Sequence, residues 1–574
     1  MRRQRRGFAL LALLLSFGLF AAACGSDSKK SSSSSSSSSA SDEAKKGGTI
    51  TLGAEQWPAC LNPITQCANS SWLHWAVVAH VLPRLMELDD KGNFVPSPVL
   101  AGDPELKGDG TSNGSGAFTI TYKIADKAVW DDGSPITSAD IAFTEDAYMK
   151  TTGAISTTGF DQIDKIDSTD PKTAVVTFKK PYADWQDLFG GNSSYVLKKA
   201  AFAGPDTKDD LATTVPFSGG PFKLDSFTTT EADFSPNTAY WDADRIPNVD
   251  KLITVSMKDS DTEINSLLAH EVDAIFPQPS PGITENLAKG GATIKYKFGA
   301  GTTYENIWFD QSPLSAPDSP IKDKAVREAL LFAIDRQAIL DQVIHPNFPD
   351  VQLNQCAAWV PTVGDWCGND FGDVKPDPAK VASILEGDGW AKGSDGIYAK
   401  AGKRLSMKWA TVQGNKRRED IQALIIPKLK AQGIELIADN SDADTLFQTR
   451  LPHLDFEIGI YAQTASPDPS VTTLFACDQI PSEKNSFSGQ NSDGWCNQDA
   501  TAAMLESDKT PDPAARLPLI QKVGKATRAD AVLLPLYQLP LITSWDDAKL
   551  GGPVGLYTSA AYSGFSNVYD WYVK

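Results

Sequence analysis

Apolar and polar residues alternate with period two in several short stretches, the spacing of half-buried strands. The pattern predicts strands at 49–52, 118–124 and 174–178. Between the last two, 138–148 carries apolar residues at helical spacing behind Ser138, a residue that can cap a helix. The clearest helical pattern covers 322–344, where Ala325, Val326, Ala329, Leu330, Ala333 and Ile334 share one face. Helices are also predicted at 377–386 and 421–432. The latter leads through Gly433 into a strand at 434–437. Strands and helices mix throughout, so the fold class is α/β or α+β with several sheets.

The amino-terminal pattern is of another kind. Arg2, Arg3, Arg5 and Arg6 precede an apolar run at 7–23, too short to cross a bilayer comfortably and typical of a cleaved export signal. Ala21-Ala22-Ala23 then meets Cys24-Gly25-Ser26, which resembles a bacterial lipobox with Ala21 in the usual leucine position. Residues 1–24 therefore read as a lipoprotein signal peptide, with Cys24 the lipidation site. Residues 25–46, with an unbroken serine run at 31–39, have almost no apolar surface to bury and read as a disordered tether.

The body from 47 onward is longer than a single core usually supports, so two or more lobes are expected. No second long apolar run occurs, so the chain is not itself a permease. A net charge of −19 argues against nucleic-acid partners. The chain lacks a phosphate-binding Walker loop and a His-Glu-x-x-His helix. A secreted hydrolase is therefore a remote alternative, and no cofactor is expected.

Apart from Cys24, six of the seven cysteines remain, and six can pair in more than a dozen ways. Pairing of neighbours is the simplest: Cys60 with Cys67, Cys356 with Cys367, Cys477 with Cys496. Each pair brackets a loop containing Pro, Gly or Asn, and export favours disulfides. No pair has the tight spacing of a zinc knuckle, and the five histidines are scattered, so no metal site is expected.

A series of short motifs runs along the body in order: Gly47-Gly48-Thr49 with Leu61-Asn62-Pro63, the stretch 82–96, and above all 122–143 with Trp130-Asp131-Asp132-Gly133-Ser134-Pro135. Ser218-Gly219-Gly220-Pro221-Phe222, Tyr240-Trp241, the turn His270-Glu271-Val272-Asp273, 323–340, Asp468-Pro469 and Pro535-Leu536-Tyr537 follow. Together these segments resemble the extracellular solute-binding proteins of the peptide and nickel uptake type, family 5, in which glycine is usual at the His270 position.

The resemblance implies a two-lobed periplasmic-binding-protein fold of the large, class II type, with a hinge between the lobes and an extra subdomain in the first. Lobe I would comprise 47–95, 217–298 and 540–574, with 96–216 as its inserted subdomain; lobe II would be 299–539. The implied function is a non-enzymatic, monomeric substrate-binding lipoprotein of an ABC importer. It would sit in the cell envelope, outside the cytoplasm and lipid-anchored to the membrane. There it would capture an oligopeptide or peptide-like solute and pass it to a membrane permease. The same fold could instead bind a non-peptide solute or act as an envelope sensor or chaperone.

Expected ligand contacts, by the same resemblance, are Glu55, Gln56, Trp57, Ser218, Gly219, Gly220, Asn306, Trp308, Tyr461, Gln463 and Asp468. Peptide-binding relatives often carry an aspartate shortly before the late Asp-Pro, where it pairs with the peptide's amino terminus. Here 461–467 contains no acid. Asp468, Glu55 or Glu457 would have to take that role, or the ligand has no free amine.

Overall fold

The computed structural model describes residues 45–108, 117–191, 194–257, 259–313, 315–557 and 563–574. The signal peptide with Cys24, and nearly all of the proposed tether, lie outside the described residues.

In chain order the elements that frame the site are these. Strand β1 is Thr49–Ala54, β2 is Glu105–Lys107 and β3 is Thr119–Lys123; helix α1 is Ser138–Lys150. Strands β4 (Ile163–Asp167), β5 (Thr173–Phe178), β6 (Phe222–Phe227), β7 (Glu231–Pro236), β8 (Lys251–Ser256) and β9 (Ala274–Ile275) follow. The long strand β10 (Ile294–Phe309) precedes helix α2 (Lys324–Ala333) and strand β11 (Ser406–Ala410). Helix α3 (Lys416–Gln432), β12 (Glu435–Ala438), β13 (Ile458–Thr464) and the second long strand β14 (Leu533–Asp546) complete the frame.

One ten-stranded mixed sheet runs in the order β12-β11-β13-β10-β14-β9-β1-β8-β7-β6. Its middle is the antiparallel pair β10 and β14, in register from Ile294 opposite Asp546 to Trp308 opposite Leu533. The register slips between Ala300 and Tyr304, an irregularity of the kind that bends a strand. A separate four-stranded sheet, β2-β3-β5-β4, packs with α1.

The described residues pack into two main hydrophobic cores. One holds Ile50, Leu52, Trp72, Trp130, Tyr195, Phe222 and Trp571. The other holds Trp308, Phe332, Trp359, Trp409, Ile458 and Tyr537, and takes in Ile264, Leu267 and Leu287 from the 217–298 segment. Fourteen tryptophans are mostly spent on this packing, as their large apolar area favours.

Local sequence explains most of the elements and two departures. Helix α1 starts where expected, but its cap is Thr137: Asp140 Oδ2 accepts from Thr137 N at 2.9 Å, a capping box. Ser138 instead donates to the Asp170 carbonyl at 2.7 Å. The helix expected over 322–344 breaks at Ile334, which is extended. Asp335 then caps a new turn by accepting from Ala338 N at 3.0 Å, the competition of a short acid with the helical backbone. Helix α3 ends at Gly433, whose φ of 97° is left-handed and opens the way to β12.

His270 takes a left-handed turn at φ 60° and hydrogen-bonds Asp546 through Nδ1 at 2.7 Å. The disulfides are Cys60–Cys67, Cys356–Cys367 and Cys477–Cys496, the neighbour pairing.

Candidate functional site

A cavity of about 330 Å³ opens between the two cores, within the size range of small-ligand sites. Gln56, Trp72, His74, Trp75, Asp184 and Asp187 line one wall; Tyr304, Trp359, Arg418, Gln463, Ser466 and Asp468 line the other. Hydrogen bonds join the walls. Ala183 N donates to Asp508 O at 2.7 Å, Gly489 N to Ile155 O at 2.8 Å, and Asn69 Nδ2 to Phe447 O at 2.8 Å. Ser466 Oγ donates to Asp187 Oδ2.

The base of the cavity is a buried ionic network. Glu305, on β10, accepts from Arg417 Nη1 at 2.5 Å and from Arg418 Nε at 2.9 Å. Tyr537 Oη on β14 and Gln278 Oε1 take two further Arg417 bonds, at 2.8 and 3.0 Å. Both arginines sit in the first turn of α3, where the helix dipole disfavours cations; Glu305 offsets that cost. Arg418 is 3% exposed and its Nη1 has no partner. Glu55 lies beside this network, accepting from Asn415 Nδ2 at 3.4 Å, and burial pushes its pKa up to about 7 against the pull of Arg418.

The opposite end is acidic. Asp184 and Asp187 come from the segment after β5, Asp468 and Asp508 from the far wall. Arg516 is bidentate to Asp468 at 2.5 and 2.8 Å. Ser470 and Thr472 donate to Asp508 at 2.8 and 2.6 Å. Asp184 Oδ1 is sealed from solvent without a hydrogen bond. Burial raises Asp187 to about 6, with Asp468 adding to it, and raises Asp508 to about 6. Asp184 rises well above the usual carboxylate range, by burial first and then by Asp468 and Asp187. His74, also on the wall, is held neutral: burial and then Arg84 lower it to about 3.

Of the residues expected from sequence, Gln56, Gln463 and Asp468 line the cavity. The others are engaged elsewhere, each for a visible reason. Glu55 is buried behind the lining, against Asn415. Trp57 stacks on Phe227 and donates to the Thr228 carbonyl at 2.8 Å. Ser218 Oγ donates to the carbonyls of Val81 and Phe222 at 3.0 and 2.6 Å. A Cβ on Gly219 would meet Pro83, and one on Gly220 would meet the His80 carbonyl, so this loop is clamped in the first core. Asn306 donates to the Ala357 carbonyl at 2.7 Å. Trp308 stacks on Tyr461 and donates to its carbonyl at 3.0 Å, so both rings belong to the second core.

Sequence reasoning missed Asp184, Asp187 and Arg418. A pair of acids three residues apart beside Trp185 was the one available signal, and nothing in it tells a cavity wall from a solvated turn.

A sheet shared by two cores, with a cavity between them, is the architecture of the class II periplasmic binding proteins. The chain belongs to the bacterial extracellular solute-binding proteins of family 5, whose middle region matches residues 96–481. It is therefore a solute-binding component of ABC transport and not an enzyme. It is 26% identical over 508 residues to the oligopeptide-binding protein OppA of Mycobacterium tuberculosis, covering 86% of this chain and 80% of that one. Among solved structures it resembles the oligopeptide-binding protein AppA from Bacillus subtilis in complex with a nonapeptide. The TM-score is 0.78 and the identity 19%, over 93% of this chain and 100% of AppA. It resembles the periplasmic EDTA-binding protein EppA as well, at TM-score 0.78 and 18% identity over 92% and 97%.

Proposed function

We infer that this protein captures short peptides outside the cytoplasm and delivers them to a membrane permease while tethered through lipidated Cys24. The observation that carries the reading is the cavity between the cores. It is flanked by walls joined through hydrogen bonds, lined by many polar and charged groups among several aromatic rings, and has a size suited to a short chain rather than a protein surface. The relative named above is an oligopeptide-binding protein, which supports the peptide class. A polycarboxylate such as EDTA, named for another structural neighbour, is disfavoured here, because Asp187 on the wall would repel it at neutral pH.

The mechanism follows from the sheet. Segments 47–95, 217–298 and 540–574, with the 96–216 insertion, act as one lobe, and 299–539 as the other. They rotate about β10 and β14. An open form admits solute, and a ligand touching both walls binds the closed form better and shifts the population towards it. No helix among the described residues is long and apolar enough to cross a membrane, so the tethered chain needs a separate permease to move its solute.

The test is to purify the body from Gly47 onward, record its native mass, denature it and identify what is released. A set of short peptides supports the reading. A defined non-peptide solute moves the substrate class, and no change in native mass or melting with peptides, sugars or chelates overturns capture itself.

A further inference from the structure

The seam where the walls meet at the acidic end joins groups of like charge. One wall brings Asp184 and Asp187, the other Asp468 and Asp508. Two bonds across the seam hold them together. Ala183 N donates to the Asp508 carbonyl at 2.7 Å, which sets the residue before Asp184 on Asp508 itself. Ser466, two residues before Asp468, donates its hydroxyl to Asp187.

Arg516, in the helix Pro513–Ala529, is bidentate to Asp468 and so answers one carboxylate of the four. Asp508 takes the hydroxyls of Ser470 and Thr472, and Asp187 that of Ser466; a hydroxyl brings no charge. Asp184 and Asp187 hydrogen-bond each other. An ionised carboxylate has no proton to donate, so that bond exists only while the pair holds one. Tyr182 also faces these acids, and burial keeps it neutral.

We propose that closing of the walls is a proton-linked step, with Asp184, Asp187 and Asp508 as an acid latch: protonated they let the walls meet, ionised they push them apart. The proposal rests on the lobe rotation inferred above and adds what regulates it. With the walls apart, each carboxyl returns to water and to its ordinary range. With the walls together, burial and then the neighbouring acids raise Asp184 well above that range, and burial raises Asp187 and Asp508 to about 6. Closing therefore takes up protons. Acid favours the closed form, fully so below about pH 4, and the gain is lost as pH climbs through 6. A solute held between the walls is retained longer in acid surroundings than in neutral ones.

The test is hydrogen-exchange mass spectrometry of the purified protein without solute, from pH 5 to pH 8, with rates corrected for intrinsic exchange. The amides of Ala183 and Gly489 are bonded across the seam, so their protection reports the closed-to-open ratio; the amides of β1, inside one core, set the level for global unfolding. Seam protection should fall at least about a hundredfold relative to β1 over that range, Asp187 and Asp508 each supplying about tenfold. In Asp184→Asn/Asp187→Asn the fall should shrink at least about tenfold, because amides keep the shape and do not ionise. Should that variant fail to fold, Asp508→Asn on the other wall decides, with about one tenfold factor removed. Seam protection below that of β1 but constant with pH overturns the latch and leaves the rotation standing. An undiminished response in the variants assigns it to another group, such as Glu55 at the base, which burial raises to about 7, and also overturns the latch. Seam protection equal to that of β1 at every pH means that the walls do not part short of unfolding, and overturns rotation and latch together.

Discussion

Ser466 donates its hydroxyl to Asp187 across the cavity, joining residues 279 apart in sequence and one core's wall to the other's. The bond exists only when the walls meet, and one partner is a carboxylate, which makes it stronger than a neutral bond.

Ser466→Ala should therefore weaken ligand retention more than it weakens the empty fold. Loss of a hydrogen bond to a charged group is worth about 1.5–3 kcal/mol, so Kd should rise roughly tenfold to a hundredfold. Isothermal titration alongside a melt of the ligand-free protein checks this. A fall in melting temperature with unchanged affinity would assign the bond to stability alone.

Glu305→Gln attacks the base. It leaves Arg417 and Arg418 buried with no carboxylate between them. Removing one partner of a buried ion network costs about 3–5 kcal/mol. Denaturant unfolding should show that loss with β10 and β14 both affected, since Tyr537 shares Arg417. A change below about 1 kcal/mol would mean that water replaces the carboxylate.

The acidic end makes stability depend on pH in a definite direction. The Asp187 carboxyl rises in the fold from an ordinary 3.8 to about 6, chiefly by burial, and Asp508 does the same. The folded chain thus holds protons that the unfolded chain gives up. This contribution is full below about pH 4 and is lost as pH climbs through 6. The groups facing the pair are Tyr182, Asp184, Asp468 and Arg516. Asp187→Asn should raise the melting temperature of the empty protein at pH 7.5 and leave it unchanged at pH 4. Equal effects at both values would disprove the linkage.

The Cys60–Cys67 bond closes the loop that carries Gln66, which donates to the Phe487 carbonyl of the far wall at 2.8 Å; Asn69 reaches that wall just beyond it. Cys60→Ser/Cys67→Ser should cost about 2–4 kcal/mol of stability and, because the loop bonds to the far wall beside the cavity, speed ligand release. Stopped-flow dissociation kinetics separate the two effects; an unchanged off-rate would confine the disulfide to stability.

Local physics was legible in the sequence wherever one segment decides its own conformation. Alternation marked β1, β3 and β5, helical spacing marked α1 and α3, and Gly433 marked where α3 must end. The break at Ile334 escaped because the apolar stripe continues through it, while Asp335 captures a backbone amide that the stripe does not reveal. The site was harder for a related reason. Trp308 and Tyr461 have the composition of ligand contacts, yet pairing of β10 with β13 stacks them on each other. Asp187 and Ser466 acquire meaning only from a contact between distant segments.

The two cores are joined by paired strands, not by loose linkers. Strands β10 and β14 stay bonded along most of 16 and 14 residues. Such a ribbon resists stretching and sideways slip but twists readily, more so where its register is already broken near Gly301. In the lobe rotation proposed above it would serve as a torsion bar, setting a preferred angle between the halves, storing little energy on small rotations and returning them to one alignment. A docked permease that wrung this bar would then empty the cavity without unfolding either core.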